Sequence, residues 1–303
     1  MTVASDIIVI LGPTASGKTA LSIAVAQALG AEILSIDSMQ VYRGMNVGTA
    51  KPTLEERAGV VHHLIDVVAP DETYAVSQFV ESADRVIADC AARRVPLVAT
   101  GGTPMYYKSL FEGLFEGPGA DAELRAKLAS ESPELLHARL AVVDPDAARR
   151  IHVNDQRRLV RAMEVYELTG RSITSLQNEW GATPRHAAMW FGLNWEKEEL
   201  NRRINVRTKQ MIATGWVDEV RQLLDTYAAF SMTAAEATGY RELIDHVRHG
   251  TSLDDACEQI KIATRQLARR QMKWFRRWQQ VQWLDGSIEA STLLGSILAK
   301  VNG

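Results

Sequence analysis

The stretch Gly12-Pro13-Thr14-Ala15-Ser16-Gly17-Lys18-Thr19 constrains this chain more than any other. A glycine, four free positions and then Gly-Lys-Thr is the spacing of a phosphate-binding loop. The flanks agree. Ile7 to Leu11 is an unbroken apolar run, as a buried parallel strand requires. From Ala20 to Leu29 apolar residues recur at helical spacing, and Gly30 stops the pattern. A strand, a glycine loop and a helix in this order aim backbone N–H groups at an anion. Lys18 then meets phosphate oxygens as a point charge, and the Thr19 hydroxyl is offered to Mg²⁺. An ordinary strand-to-helix turn is the alternative. Every fixed position of the pattern is filled in the right context, so phosphate binding is expected. The loop alone names neither the phosphate compound nor the reaction.

The alternation of apolar runs and helical periods continues, which predicts an α/β fold: a P-loop NTPase-like parallel sheet. Ala31 to Asp37 reads as the second strand, Val60 to Asp66 as a short one and Val95 to Thr100 as another. Ligands of open α/β sheets gather beyond the carboxyl ends of the strands. Asp37 is thereby placed near the phosphate loop, as a ligand behind Mg²⁺ or as a general base; a turn cap is the structural alternative. Gly101-Gly102-Thr103 follows the Val95–Thr100 run directly. Two glycines there let backbone approach a ligand, and Thr103 opens the next helix. Val41 to Pro52, with its glycines and little periodicity, reads as a long surface segment. His62 and His63 have no partner at metal-binding spacing.

From Gly117 the strands cease, and helical patterns run to about Pro184. The expected organisation is a core over 1–116, an inserted helical subdomain over 117–186, and the rest of the core with a helical carboxyl-terminal part over 187–303. The last long helix of the insertion is expected to have Asn154 as N-cap and Gly170 as its stop. Arg157, Arg158 and Arg161 share one face of it and by themselves suit a solvated basic face. Ala187 to Asn194 returns to strand character. Glu196 to Tyr227 is a helical stretch broken near Gly215, and Thr233 to Val247 is another helix.

A formal net charge of -3 excludes a generally basic nucleic-acid binder, so any polyanion must be held by local patches. One such patch exists. Between Glu258 and Asp285 there is no acidic residue, while Lys261, Arg265, Arg269, Lys273 and Arg277 recur every four positions, with Arg270 and Arg276 beside them. A cationic stripe of this length, read as the final helix, is suited to a polynucleotide backbone. Trp274, Phe275 and Trp278 among these charges either pack inward or stack on bases. The two cysteines, Cys90 and Cys257, show no metal spacing and read as buried thiols of a reducing compartment. The first strand starts too near Met1 for a signal peptide, and no apolar run reaches membrane-span length. A cytoplasmic monomer is expected.

Taken together these segments resemble the tRNA dimethylallyltransferases, also called tRNA isopentenyltransferases. The resemblance covers nearly the whole chain. Beyond the glycine loop it rests on Asp37-Ser-Met-Gln-Val-Tyr-Arg-Gly-Met, Val47-Gly-Thr-Ala-Lys-Pro52, His62-His-Leu-Ile-Asp66 and Gly101-Gly-Thr103. It continues in Arg150-Ile-His-Val-Asn-Asp-Gln-Arg157, Glu164-Val-Tyr-Glu-Leu-Thr-Gly170, Thr238-Gly-Tyr240, Thr264-Arg-Gln-Leu-Ala-Arg-Arg-Gln271 and Trp274-Phe-Arg276. The resemblance implies transfer of a dimethylallyl group from dimethylallyl pyrophosphate to N6 of the adenosine 3′ of the anticodon. Lys18, Thr19 with Mg²⁺, and Arg207 would neutralise pyrophosphate. Asp37 would take a proton from the adenine amine, and Thr103 would steady the reacting groups. The residues implied to contact the tRNA anticodon stem-loop are Asp37, Ser38, Met39, Gln40, Thr103, Arg125, Gln156, Arg157, Arg158, Leu159, Val160 and Arg161, with Arg265, Arg269, Arg270 and Lys273. Two small departures, Pro104-Met-Tyr-Tyr after Gly-Gly-Thr and Thr238 before Gly-Tyr, remove no proposed catalytic group. An adenylate isopentenyltransferase or an ATP-dependent small-molecule kinase would use the same loop. Neither accounts for the helical insertion together with the basic helix.

Overall fold

The computed structural model describes residues 6–113, 117–178 and 184–302. Part of the helical stretch expected up to Pro184, at 179–183, lies outside them. The chain divides into two compact units: Met1–Phe111 with His186–Gly303, and Glu112–Arg185.

The first unit is built on a six-stranded sheet: β1 (Ile7–Leu11), β2 (Glu32–Ser35), β3 (His62–His63), β4 (Leu97–Thr100), β5 (Met189–Asn194) and β6 (Gln282–Asp285). The order is β3-β2-β4-β1-β5-β6, and every pairing is parallel. This is the α/β, P-loop-like architecture expected from the alternating pattern. β1 is buried along its whole length, which explains its unbroken apolar run. Alternate residues serve opposite faces. Ile7, Val9 and Leu11 join Leu97 and Ala99 in one core layer, while Ile8 and Ile10 join Ile33 and Val98 in the other. Because β1 lies between β4 and β5, the loops after β1 and β4 leave the sheet side by side.

Several expectations need correction. β3 is two residues long, because Leu64 and Asp66 adopt left-handed φ of 60° and 58° and leave the strand line. The helical stretch over 233–247 is split by Gly239, also left-handed, into Met232–Ala235 and Tyr240–His249. The N-cap of the helix Gln156–Thr169 is Asp155, whose carboxylate accepts from Arg158 N–H, and not Asn154. The basic helix, Leu253–Phe275, is not the final one: β6 and the helix Ala290–Val301 follow it. Leu293, Ile297 and Val301 of that last helix complete the second core layer. Among the described residues no helix is long and apolar enough to cross a membrane.

The segment 41–52 is a surface segment only in part. Val41, Tyr42 and Met45 are wholly buried. Two charged side chains satisfy its turns. The Lys51 ammonium donates to Tyr42 O at 2.8 Å, Asn46 Oδ1 at 2.9 Å and Asp66 Oδ1 at 2.5 Å. The Glu219 carboxylate accepts the N–H groups of Asn46, Val47 and Gly48 at 2.8, 2.6 and 3.2 Å, and the Tyr240 hydroxyl at 2.6 Å. Glycines and polar residues here serve a partly buried turn whose enclosed backbone groups need partners.

In the second unit every described element is a helix: Ala122–Ala129, Pro133–Val143, Pro145–Arg150, Gln156–Thr169 and Ile173–Asn178. Leu128, Leu136, Leu140, Leu159 and Met163 form its core. Beside them Glu164 is fully buried and accepts from Arg125 at 2.8 and 3.0 Å, from Arg161 at 2.5 Å and from Asp121 N–H at 2.9 Å. Burial alone would raise this carboxyl. The hydrogen bonds from Arg125 and Arg161 outweigh it and hold Glu164 below the usual range.

Removing the Lys51 ammonium leaves the Tyr42 carbonyl and Asn46 without their donor. Lys51→Met is therefore expected to cost about 1–3 kcal/mol. Urea unfolding followed by tryptophan fluorescence reads it, and an unchanged midpoint would contradict the assigned role.

Candidate active site

The helix Lys18–Leu29 starts directly from the glycine loop. Its N-cap, Gly17, has φ +90°, and no side chain caps it or places an acid in its first turn. The first N–H groups of this helix therefore have no capping partner on the protein side, which suits an anion. Protein contacts hold the loop from behind. Trp195 Nε1 donates to Ser16 O at 3.0 Å and Arg203 Nε donates to Ala15 O at 2.9 Å. The Arg203 guanidinium lies over the Trp195 ring at 4.2 Å. Gly12 is needed for closeness, since a Cβ there would lie 2.6 Å from Ser16 Oγ.

A cavity of about 280 Å³ opens in front of this loop. Thr14, Lys18, Thr19, Asp37, Ser38, Met39, Gln40, Thr103, Arg207 and Arg270 all line it, so one site gathers residues from separate segments of the sequence. Burial pushes the Lys18 ammonium down to about 8; Arg207 pushes in the same direction and Asp37 opposes both. Burial also lowers Arg207, against the pull of Asp37. Two crowded cations in a partly closed cavity are relieved by an anion.

Opposite the cations stands Asp37, just beyond β2. Its Oδ1 accepts the N–H groups of Met39 and Gln40 at 2.9 and 3.4 Å, which fixes the carboxylate with Oδ2 on the Gly102 side. The cap and the candidate base are therefore one residue. Thr103 Oγ1 accepts Ser38 N–H at 2.9 Å and donates to Ser38 Oγ at 3.1 Å, so the loop after β4 is tied to the loop after β2. Gln40 is engaged too: its amide donates to Thr49 O and accepts from Ser35 Oγ.

The other expected contact residues fall elsewhere. Arg269 and Lys273 are exposed on the basic helix that also carries the cavity-lining Arg270. Arg265 is half-buried and donates to Asn205 Oδ1 at 3.0 Å, and Lys261 is buried and paired with Glu258 at 2.6 Å. The stripe is thus shorter than its spacing suggested, because its amino-terminal third packs against neighbouring helices. Phe275 and Trp278 are buried and pack on Tyr107 and Trp190, which settles them as core. In the helical unit the Leu159 and Val160 side chains belong to the core, and Arg125 and Arg161 hold Glu164. Gln156, Arg157 and Arg158 line the outer part of the same helix; Gln156 donates to Ala129 O, and Arg158 pairs with Asp155.

The sequence reading gave no role to Arg203, Trp195, Glu219 or Gln271, whose partners lie far away in the chain. Another unforeseen cluster, Glu32, His63 and Cys90, has its donor atoms within 4.8 Å of one another. It is an ion-pair network. Arg93 takes both Glu32 oxygens at 2.7 and 2.8 Å, His63 contacts one at 2.7 Å, and burial pushes the Cys90 thiol up to about 11.

A parallel sheet with a glycine phosphate loop, two cations and a fixed carboxylate in one cavity defines a P-loop-like group-transfer enzyme. A family model described as IPP transferase matches residues 40–278, and one described as isopentenyl transferase matches residues 5–67. A tRNA dimethylallyltransferase of Symbiobacterium thermophilum is 47% identical over 285 residues, covering 92% of this chain and 89% of the relative. One of Geobacter metallireducens is 43% identical over 297 residues, covering 96% of each. Among solved structures, a tRNA delta(2)-isopentenylpyrophosphate transferase of Staphylococcus epidermidis superposes with a TM-score of 0.73, 34% identity and 98% coverage of both chains. A eukaryotic dimethylallyltransferase acting on tRNA gives a TM-score of 0.80 at 30% identity, covering 92% of this chain and 73% of that one. The chain belongs to the tRNA dimethylallyltransferase family of prenyl transferases.

Lys18 carries its charge fully only below about 8, so the sign is fixed: pyrophosphate affinity is expected to weaken as pH rises through that value. Lys18→Arg keeps its charge and should remove that part of the dependence. Calorimetric titrations with pyrophosphate on both sides of this pH would show parallel pH profiles for the two proteins if Lys18 were not the responsible group.

Proposed function

We propose that this protein transfers the dimethylallyl group of dimethylallyl pyrophosphate to N6 of the adenosine immediately 3′ of the anticodon in tRNA, releasing pyrophosphate. The observation that carries the reading is the placement of Lys18 and Arg207 in one cavity with the Asp37 carboxylate. The cations and the loop N–H groups hold the pyrophosphate, which must leave with its charge neutralised. The N6 lone pair attacks C1 of the allyl group, the C1–O bond breaks, and its electrons go to pyrophosphate. The departing N6 proton passes to Asp37 Oδ2, since Oδ1 is engaged by Met39 and Gln40 N–H. Thr103, fixed on Ser38, steadies the acceptor side. An adenine inside a stacked loop cannot reach this cavity, so the base is flipped out to react.

The residues present fit Mg²⁺: Thr19 lines the cavity at the phosphate loop, and its hydroxyl is a hard oxygen donor of the kind this ion takes together with phosphate. When bound, the ion supplies further neutralisation of the leaving group. Arg269, Arg270 and Lys273 offer phosphate contacts along the basic helix, and Gln156, Arg157 and Arg158 offer them on the helical unit.

The direct test is nucleoside mass spectrometry after incubation with dimethylallyl pyrophosphate, Mg²⁺ and unmodified tRNA, with AMP and ATP in parallel. A dimethylallyl adduct on the tRNA adenosine alone is expected. An adduct on the free nucleotides would assign the protein to adenylate prenylation instead. Asp37→Ala should lower turnover by about 10²-fold or more while leaving tRNA affinity nearly intact. Equal loss of binding would remove Asp37 from the base role. Arg269→Ala with Lys273→Ala should weaken tRNA binding and reduce the salt slope by about two. A slope equal to the parent's would place these side chains in plain solvent.

A further inference from the structure

The basic helix Leu253–Phe275 also carries a polar residue on its inner side. Gln271 is 4% exposed and lines the cavity. Its Oε1 accepts the Thr14 N–H at 2.9 Å, and its Nε2 donates to Gly102 O at 2.7 Å. One amide thus joins the phosphate loop after β1 to the glycine loop after β4. A planar group with one acceptor and one donor meets both; turning the amide over would set donor against donor and acceptor against acceptor. Gly102 lies between Gln271 and Asp37: a Cβ added there would lie 3.3 Å from Asp37 Oδ2 and 2.7 Å from Gln271 Nε2. Hydrogen bonds therefore join the phosphate loop, Gln271 and Gly102, and the candidate base stands beside Gly102.

We propose that Gln271 is a positioning residue for prenyl transfer. It sets the separation between the loop that holds the leaving group and the loop beside the proton acceptor, and it does so from the helix that also carries the exposed Arg269 and Lys273. The proposal rests on the prenyl-transfer reading. In a displacement, misplacement of one reacting group by about 1 Å costs on the order of 10²-fold in rate. Loss of this amide should therefore lower kcat and leave tRNA affinity unchanged.

Two variants test it, Gln271→Met and Gln271→Glu, with melting temperature and tRNA affinity as folding controls. Q271M, which has no hydrogen-bonding end of the right kind, should lose about 10²-fold in kcat at every pH. Q271E should behave differently. A protonated glutamic acid keeps one acceptor for Thr14 N–H and one donor for Gly102 O, whereas its carboxylate repels that carbonyl. The ratio of Q271E to wild-type kcat is expected to rise as pH falls, by about tenfold per unit above the pKa of the new carboxyl. A ratio flat with pH, or wild-type kcat in Q271M, overturns the proposal. Should either variant not fold, Gly102→Ala breaks the same bond from the other side, and wild-type kcat in folded G102A also overturns it. A wild-type protein that transfers no dimethylallyl group overturns the prenyl-transfer reading and this inference together. An active wild type with a flat Q271E ratio overturns only the role of Gln271.

Discussion

Backbone meets backbone at Gly101, where a Cβ would stand 2.0 Å from the carbonyl oxygen of Ile36. No side chain fits there. The contact brings the end of β4 against the residue that follows β2, and Ile36 O accepts Thr103 N–H at 3.2 Å while Ile36 N–H donates to Thr100 O at 2.8 Å. Asp37 and Thr103 face the same cavity because of this approach. Since β1 neighbours β4, the phosphate loop enters the same space. The site is thus a consequence of strand order and of one missing methyl group, before any catalytic side chain is considered.

Around this junction the protein places charged groups in two distinct roles. Lys51, Glu219 and Glu164 each hold several hydrogen bonds, and Arg203 bonds Ala15 O, so all four hold backbone or partner groups in place. Lys18 and Arg207 are crowded together with lowered proton affinity. A charge that is already paired cannot do much for a ligand, whereas a crowded pair of like charges gains when an anion arrives. That difference, rather than charge itself, separates the scaffold from the candidate site. It also bears on why the cationic stripe read from spacing contracts to its exposed portion: Lys261 is paired with Glu258 and Arg265 with Asn205.

Much of this was legible in the chain. The glycine loop, the strands that became β1, β2, β4 and β5, and the placement of Asp37 and Gly101–Thr103 at strand ends all follow from local pattern. Period and spacing report burial and direction within one element, and the phosphate loop is contained in eight consecutive residues. β6 escaped notice because four residues of alternating exposure carry little periodic signal. The segment 41–52 misled because glycine and polar content mark turns whether those turns lie outside or inside.

What the sequence determined by itself was the class of fold, the glycine loop between β1 and the next helix, and the types of residue gathered there. Tertiary structure decided which of them meet. Gln271 and Thr14 stand 257 positions apart, and the three N–H groups held by Glu219 lie more than 170 positions from it. Such contacts have no local period. They arise only when parallel strand pairing sets loop beside loop and a packed helix delivers an amide between them, so their energies are properties of the assembled fold and not of any segment.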